Sequence, residues 1–216
     1  MEDLNPFDLL AEEYDSWFDK EGKIVFETEL LAFKKILPLL PKPWLEIGVG
    51  SGRFAQALGI EVGIDPSIKL LEMAKSRGIE VYQVKGEDRF FKEESFGAVF
   101  MIVTLCFVDS PIAVLREANR ILRPDGKVVL GLVLKDSPWG RLYLAKKMEG
   151  HRFYRYANFY SFEEIEGFLL DSGFRIEKVV STLFQEPDNV KEIELPRDGF
   201  SRSAGFTVIL GNKVFS

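Results

Sequence analysis

Short apolar runs, closed by glycine, proline or polar breaks, alternate along this chain with segments whose apolar residues recur at helical spacing. Residues Phe7 to Leu37 read as helical, with Leu30, Leu31, Phe33 and Leu37 at near-helical intervals. Pro38, Pro41 and Pro43 end that stretch, because proline has no amide hydrogen to give a helix interior. Trp44-Leu45-Glu46-Ile47 is a compact apolar run stopped by glycines and predicts a buried strand, with a helix from Arg53 to Leu58 behind it. Glu61 to Asp65 predicts a second strand. Pro66 then marks a helix start, and Ile68, Leu71 and Met73 supply that helix with an apolar face.

The alternation continues. Ile79 to Val84 predicts a strand, and Ala98 to Val103 is apolar throughout, as a strand covered on both faces must be. Ala113 to Leu122 is an amphipathic helix, Arg123-Pro124-Asp125-Gly126 a turn, and Lys127 to Leu134 a further strand. Ser161-Phe162-Glu163-Glu164 has the form of a capping box opening a helix that runs to about Ser172. Phe174 to Thr182 and Ala204 to Leu210 read as closing strands joined by a polar, proline-containing connection, which suits an antiparallel finish. Strands alternating with helices predict an α/β fold, a doubly wound and mostly parallel sheet with helices on both faces.

Composition agrees with one globular domain over residues 1–216. Apolar residues make up 46% and charged residues 29%, so neither large-scale disorder nor a disulfide scaffold is expected. A chain of this length buries roughly 70% of its unfolded surface, and 19 Phe predict a core or pocket rich in aromatics. The net charge of −6 is the wrong sign for sequence-independent binding to nucleic acid. The single Cys106 excludes a cysteine-built zinc site, no metal is expected, and a reducing, cytoplasmic setting fits. The acidic start, Met1 to Asn5, does not read as a signal peptide, and no apolar run approaches the ~20 residues of a membrane span.

The chemistry concentrates after the first strand. Gly48, Gly50 and Gly52 alternate between a buried strand and a helix, where glycine allows unusual dihedrals and lets a ligand approach the main chain. Such a loop alone is also what a plain strand-to-helix turn looks like. Two carboxylates sharpen it. Glu46 stands two positions before the first glycine, and Asp65 ends the next strand 19 positions later. A carboxylate there can accept hydrogen bonds from both hydroxyls of a ribose, which suits NAD as well as S-adenosylmethionine (SAM). The dinucleotide fingerprint, however, wants its third glycine three positions after the second. Here it comes after two, and Arg53 occupies the place meant for a small residue. A pyrophosphate would be repelled by Glu46, whereas a cationic sulfonium and amino group would be attracted.

At this point the chain resembles the class I SAM-dependent methyltransferases, particularly the small-molecule group that includes the ubiquinone/menaquinone-type enzymes. Residues 44–54 look like that family's first motif, and Gly63-Ile64-Asp65-Pro66-Ser67 like its second. Gly86-Glu87-Asp88 resembles the segment beside the adenine, Leu122 to Lys127 the turn before the fifth strand, and Ser172-Gly173-Phe174 the entry to the sixth. The resemblance implies a Rossmann-like, seven-stranded sheet with an antiparallel last strand. It implies SAM as cofactor, S-adenosylhomocysteine as product, and a small-molecule methyl acceptor. The cofactor-binding residues it implies are Glu46, Gly48, Val49, Gly50, Gly52, Asp65, Pro66, Ser67, Gly86, Glu87, Asp88, Val103 and Thr104. Departures are visible. Lys85 stands where the family often has an acid, and the turn is Pro-Asp-Gly instead of Pro-Gly-Gly. Val103-Thr104-Leu105-Cys106 replaces the Asn/Asp-Pro-Pro-Tyr/Phe motif of enzymes acting on amide or base amino groups.

Two segments are candidates for the acceptor side. Ala11 to Phe18 resembles the family's N-terminal helix, part of a helical cap over about 1–40, and names Tyr14 as a cofactor or substrate contact; packing onto the sheet is the other reading. Residues 135–160 form an insertion at the ligand-binding end of the sheet and predict a lid. It carries seven aromatic residues, and six basic residues against two acidic ones. These could line a pocket for a flat or cationic acceptor, hold a substrate carboxylate or phosphate, or serve as a solvated face over local core. His151, the only histidine, is a candidate general base or a surface residue. Cys106 reads as a buried small side chain. The favoured function is methyl transfer to N, O or C of a small acceptor, with a small amine as one subclass. An NAD(P)-dependent oxidoreductase and a non-catalytic SAM-binding module are the alternatives. No membrane partner is expected, and the chain is read as a monomer or homodimer.

Overall fold

The computed structural model describes residues 6–214, so the acidic stretch Met1 to Asn5 lies outside the described residues. Helices α1 (Pro6–Leu9), α2 (Ala11–Trp17) and α3 (Lys23–Lys34) replace the single helical stretch expected over 7–37. The break falls at Gly22. Its N–H donates to the Trp17 carbonyl at 2.9 Å, and the Trp17 indole sits where a Cβ would stand, 2.3 Å from it. A side chain there would expel the indole, so the chain turns at a glycine.

From Trp44 onward strands and helices alternate as expected. They are β1 (Trp44–Ile47), α4 (Arg53–Leu58), β2 (Val62–Ile64), α5 (Ile68–Ser76) and β3 (Glu80–Tyr82). Then come β4 (Phe96–Ile102), α6 (Pro111–Ile121), β5 (Leu122–Leu132), α7 (Pro138–Met148) and α8 (Phe162–Asp171). The last three are β6 (Phe174–Thr182), β7 (Arg197–Asp198) and β8 (Phe206–Lys213). Serine side chains open four of the helices. Ser67, Ser110, Ser137 and Ser161 each accept a first-turn N–H, worth about 1 kcal/mol apiece. The capping box is present, with Glu164 accepting from the Ser161 N–H at 2.7 Å.

The sheet order is β3-β2-β1-β4-β5-β8-β6-β7. Neighbours from β3 through β5 are parallel, and β8 runs antiparallel to both β5 and β6. The expected seven strands are therefore joined by an eighth. Residues Arg197–Asp198, in the connection read as polar and proline-containing, pair antiparallel with β6 at the sheet edge. A two-residue strand carries no alternation pattern to find. The Arg123-to-Gly126 turn lies inside β5 as an outward excursion, since Phe96 pairs with Leu122 while Ala98 pairs with Lys127.

Successive strand residues face opposite sides, and the core is split accordingly. Trp44, Phe100 and Phe206 pack with Phe33 and Phe54 under α3 and α4. Leu45, Ile47, Val99 and Met101 pack with Leu115 and Leu169 under α6 and α8. The expected aromatic richness is real on the first face, where Phe18, Phe26, Phe54, Phe33 and Phe206 form a chain of ring contacts. Glu46, one residue beyond Leu45, is turned by the same alternation toward the α3 face.

Candidate active site

The strand order reverses direction at β1, which lies between β2 and β4. In open α/β sheets, ligands bind at such a switch point, beyond the carboxyl ends of the strands. The glycine loop after β1 and Val103–Thr104 after β4 meet there. Gly48 has φ +74°, and a Cβ on it would fall 2.4 Å from the Thr104 side chain. Gly52 has φ +80°, and a Cβ there would strike the Ala74 backbone at 2.9 Å. Only glycine satisfies both demands at these two places. Thr104 donates to the Ile102 carbonyl at 3.0 Å and reaches the Gly48 carbonyl at 3.5 Å. Val103 holds φ 52°, a left-handed conformation that is unusual for a β-branched residue and typical of sites kept in shape by their surroundings.

Asp65 closes the loop from the other side. Its carboxylate accepts the Gly50 N–H at 3.0 Å and the Ser67 N–H at 2.8 Å. Burial pushes its pKa up to about 6 in spite of these two backbone donors. Glu46 is 2% exposed, and its Oε2 atom has no hydrogen-bond partner. Burial, reinforced by the nearby Asp65 charge, raises its pKa well above the usual carboxylate range. An orphaned buried carboxylate is costly, on the order of 1–3 kcal/mol or more. It is explained if a cationic group completes the site.

The remaining expected cofactor residues have these surroundings. Val49 is buried and fills the space that a Cβ at Gly63 would need. Pro66 is exposed and uses its carbonyl to hold Gln83. Ser67 caps α5. Gly86 passes close to Ile47 and Val114, Glu87 is half-buried, and Asp88 folds back to accept the Lys85 N–H at 3.2 Å.

Tyr14, on α2, lies over the loop, with its ring and hydroxyl 3.7 Å from where a Cβ of Gly50 would be. Its pKa is raised by burial, then by the charges of Asp65, Glu46, Glu29 and Asp15. Tyr14 also meets Phe153 of the 135–160 segment, with ring centroids 6.1 Å apart, and Phe18 at 5.5 Å. The N-terminal helices and the 135–160 segment thus meet at Tyr14 and Phe153, beside the glycine loop. His151 lies exposed behind Phe153, stacked on Tyr154 at 4.7 Å. Its pKa is lowered by partial burial and by Lys146 and Arg152. The Cys106 thiol is pushed up to about 12 by burial, which fits the inert, packed side chain expected.

The lid's cations are engaged elsewhere. Lys135 pairs with Glu164, Arg152 with Glu13, and Arg155 bonds the Tyr156 hydroxyl. Arg141 holds the Asp136 carbonyl, and Lys147 holds the Ala157 carbonyl. Lys146 stands 6.0 Å over the Tyr143 ring. Two shallow hollows, one lined by Pro124, Gly126 and Asn212 and the other by Leu170 and Arg175, lie at the amino-terminal end of the parallel strands, away from this centre.

Several residues of the site were not singled out from the sequence. Asp15 binds Arg53 and Arg77 beside the loop, and Asp8 accepts from Ser67 Oγ and from the Lys69 N–H. Glu29 is buried on α3, in register with Val25 and Phe33. A carboxylate inside an apolar helical stripe was the available signal for Glu29. The long-range pairs of Asp8 and Asp15 left none.

Comparison with known proteins identifies the family. The methyltransferase-domain family matches residues 45–130 of the chain. An uncharacterized protein of Mycobacterium tuberculosis is 41% identical over 201 residues, covering 92% of this chain and 70% of that protein. An uncharacterized protein of Methanocaldococcus jannaschii is 39% identical over 211 residues, covering 98% of this chain and 100% of that protein. The crystal structure of a Thermotoga maritima SAM-dependent methyltransferase, described as a possible histamine N-methyltransferase, superposes with a TM-score of 0.89. It is 39% identical and covers 96% of this chain and 98% of its own. The chain belongs to the class I SAM-dependent methyltransferase family. It is an enzyme with S-adenosylmethionine as its cofactor, which removes the oxidoreductase and non-catalytic readings. Among the described residues, no helix is long and apolar enough to cross a membrane, and no cluster of His, Cys, Asp or Glu could hold a metal ion.

Proposed function

We propose that this enzyme methylates the nitrogen of a small amine. The observation that carries this reading is the charge around Tyr14. The charged neighbours that bear on it most are all carboxylates, Asp65, Glu46, Glu29 and Asp15, and most of the lid's cations are tied to partners outside the site. A cationic amine would favour the ionised form of these buried carboxyl groups and be drawn in, whereas an anionic acceptor would be disfavoured beside them. The description of the Thermotoga maritima relative as a possible histamine N-methyltransferase supports the same subclass.

When bound, S-adenosylmethionine supplies an electrophilic methyl group on a positive sulfonium. In our reading the backbone of Gly48, Val49, Gly50 and Gly52 faces its methionine part, and Glu46 balances the positive charge there. Asp65 takes the ribose hydroxyls, with Pro66 and Ser67 alongside. Gly86, Glu87 and Asp88 flank the adenine, and Val103 and Thr104 close the inner wall. Tyr14 and Phe153 shut the mouth and exclude water. The work left to the protein is alignment of the acceptor lone pair at about 3–3.5 Å from the methyl carbon. His151, exposed behind Phe153, is the outer candidate for moving a proton. We place the reaction in the cytoplasm, which the single Cys106 supports.

Incubating the enzyme with methyl-labelled SAM and a panel of small amines, phenols and carboxylic acids tests this. Label on the amines is expected. Transfer to phenols or acids with none to amines overturns it.

A further inference from the structure

Glu29 lies on α3 and is 6% exposed. Among the described residues, no hydrogen bond or ion pair reaches its carboxylate. Its pKa is raised to about 8, with burial as the cause and no cation opposing it. Its charge is felt by three tyrosines from three other elements, namely Tyr14 of α2, Tyr143 of α7 and Tyr154 of the short helical turn Tyr154–Tyr156. Tyr143 and Tyr154 stack face to face at 4.3 Å. Tyr14 is the residue that reaches Gly50 of the cofactor loop. Its α3 neighbours Val25, Phe26, Leu30 and Phe33 pack in one core cluster with Tyr14 and Tyr143. A buried carboxyl group with no partner needs one, and one whose helix packs with tyrosines suits an organic cation.

We propose that Glu29 is the acceptor-side carboxylate, the group that receives the substrate's ammonium and takes its proton before methyl transfer. This rests on the amine reading above. One proton passes from the ammonium nitrogen to a Glu29 oxygen, so an ammonium–carboxylate pair becomes an amine–carboxylic acid pair and the nitrogen lone pair is freed. That pair forms the new N–C bond as the S–C bond breaks, and the electrons of the broken bond stay on sulfur. The methylated amine carries the positive charge away, and Glu29 returns its proton to solvent. A carboxyl group that titrates near neutrality is suited to this exchange. The tyrosines facing it have raised pKa values and stay neutral, so they do not compete for the proton.

The test uses the full chain with histamine, tyramine and benzylamine as probes. Glu29→Gln replaces a buried carboxyl group with a neutral amide of nearly the same shape, so it is expected to fold and to bind SAM within about twofold of wild type. Its kcat/KM for a methylated amine is expected to fall by about 100-fold at pH 7. The loss should shrink as pH rises toward the amine's own pKa, where the substrate arrives deprotonated. Glu29→Asp should recover part of the activity. A Glu29→Gln enzyme with wild-type kcat/KM and pH profile on a methylated amine overturns the role of Glu29 alone. A wild-type enzyme that methylates phenols or acids and no amine overturns the amine reading and this role together.

Discussion

Asp15 grips Arg53 with both carboxylate oxygens, from Nε at 2.9 Å and from Nη2 at 2.7 Å, and so ties α2 to the residue that follows the glycine loop. Arg77 joins the pair, binding Asp15 at 2.8 Å and the Ser51 carbonyl at 2.6 Å. The helix that carries Tyr14 is thereby fixed to the loop beneath it. Burial would raise the Asp15 pKa, but the two guanidinium groups bring it well below the usual carboxylate range. The stability this carboxylate contributes is present above its unfolded pKa of about 4 and is lost as pH falls through its depressed folded value.

Asp15→Ala leaves two arginines, each about one-sixth exposed, without their shared partner. It should cost about 1–3 kcal/mol of unfolding free energy at pH 7 and weaken SAM binding by loosening Tyr14 from Gly50. Denaturant unfolding and calorimetric titration with SAM measure the two effects. Unchanged values in both would show the cluster to be ornamental.

Glu46 has the opposite sign. Its folded pKa is raised, so its contribution to the stability of the cofactor-free protein is full below the unfolded value and is lost as pH rises. Glu46→Gln should make the cofactor-free protein more stable at pH 8, by about 1–3 kcal/mol, while weakening SAM binding at least tenfold. Thermal unfolding with and without SAM separates the two. A variant that binds SAM as well as wild type contradicts the assignment.

Asp65 titrates at about 6 in the empty site, and acceptance of ribose hydroxyls uses its ionised form. SAM affinity of the wild type should therefore drop as pH is lowered from 7 to 5. Asp65→Ala should lose roughly 1.5–3 kcal/mol of binding at pH 7 and this pH dependence with it. Titrations at three pH values check both.

Gly48→Ala places a methyl group 2.4 Å from Thr104 at a left-handed φ. Destabilisation of about 2 kcal/mol or more is expected from strain and overlap together. The double variant with Thr104→Ser should regain part of it, read as a shift in the denaturation midpoint.

Local signals explain what was legible in the sequence. The β1–loop–α4 unit and the capping box at Ser161 each depend on residues close together in the chain, and each is where the pattern predicted. The helix break at Gly22 depends on where the Trp17 ring folds, and the edge strand Arg197–Asp198 on contacts with β6. Neither leaves a periodic trace. The cofactor side was readable because Glu46, the glycines and Asp65 lie within 20 positions of one another. The acceptor side we propose draws Tyr14, Glu29, Tyr143 and Phe153 from distant segments, so no local pattern could name it. The lid's positive surplus pointed to an anionic substrate as one choice, but its side chains spend most of that charge on local partners.

The most direct test is calorimetric titration of the wild-type protein with SAM, S-adenosylhomocysteine and NADH, repeated on Glu46→Gln and Asp65→Ala. Binding of both sulfur ligands but not NADH, weakened in each variant, is the result expected of a cofactor held between these two carboxylates. Binding of NADH in place of the sulfur ligands, or SAM affinity indifferent to both substitutions, would contradict it.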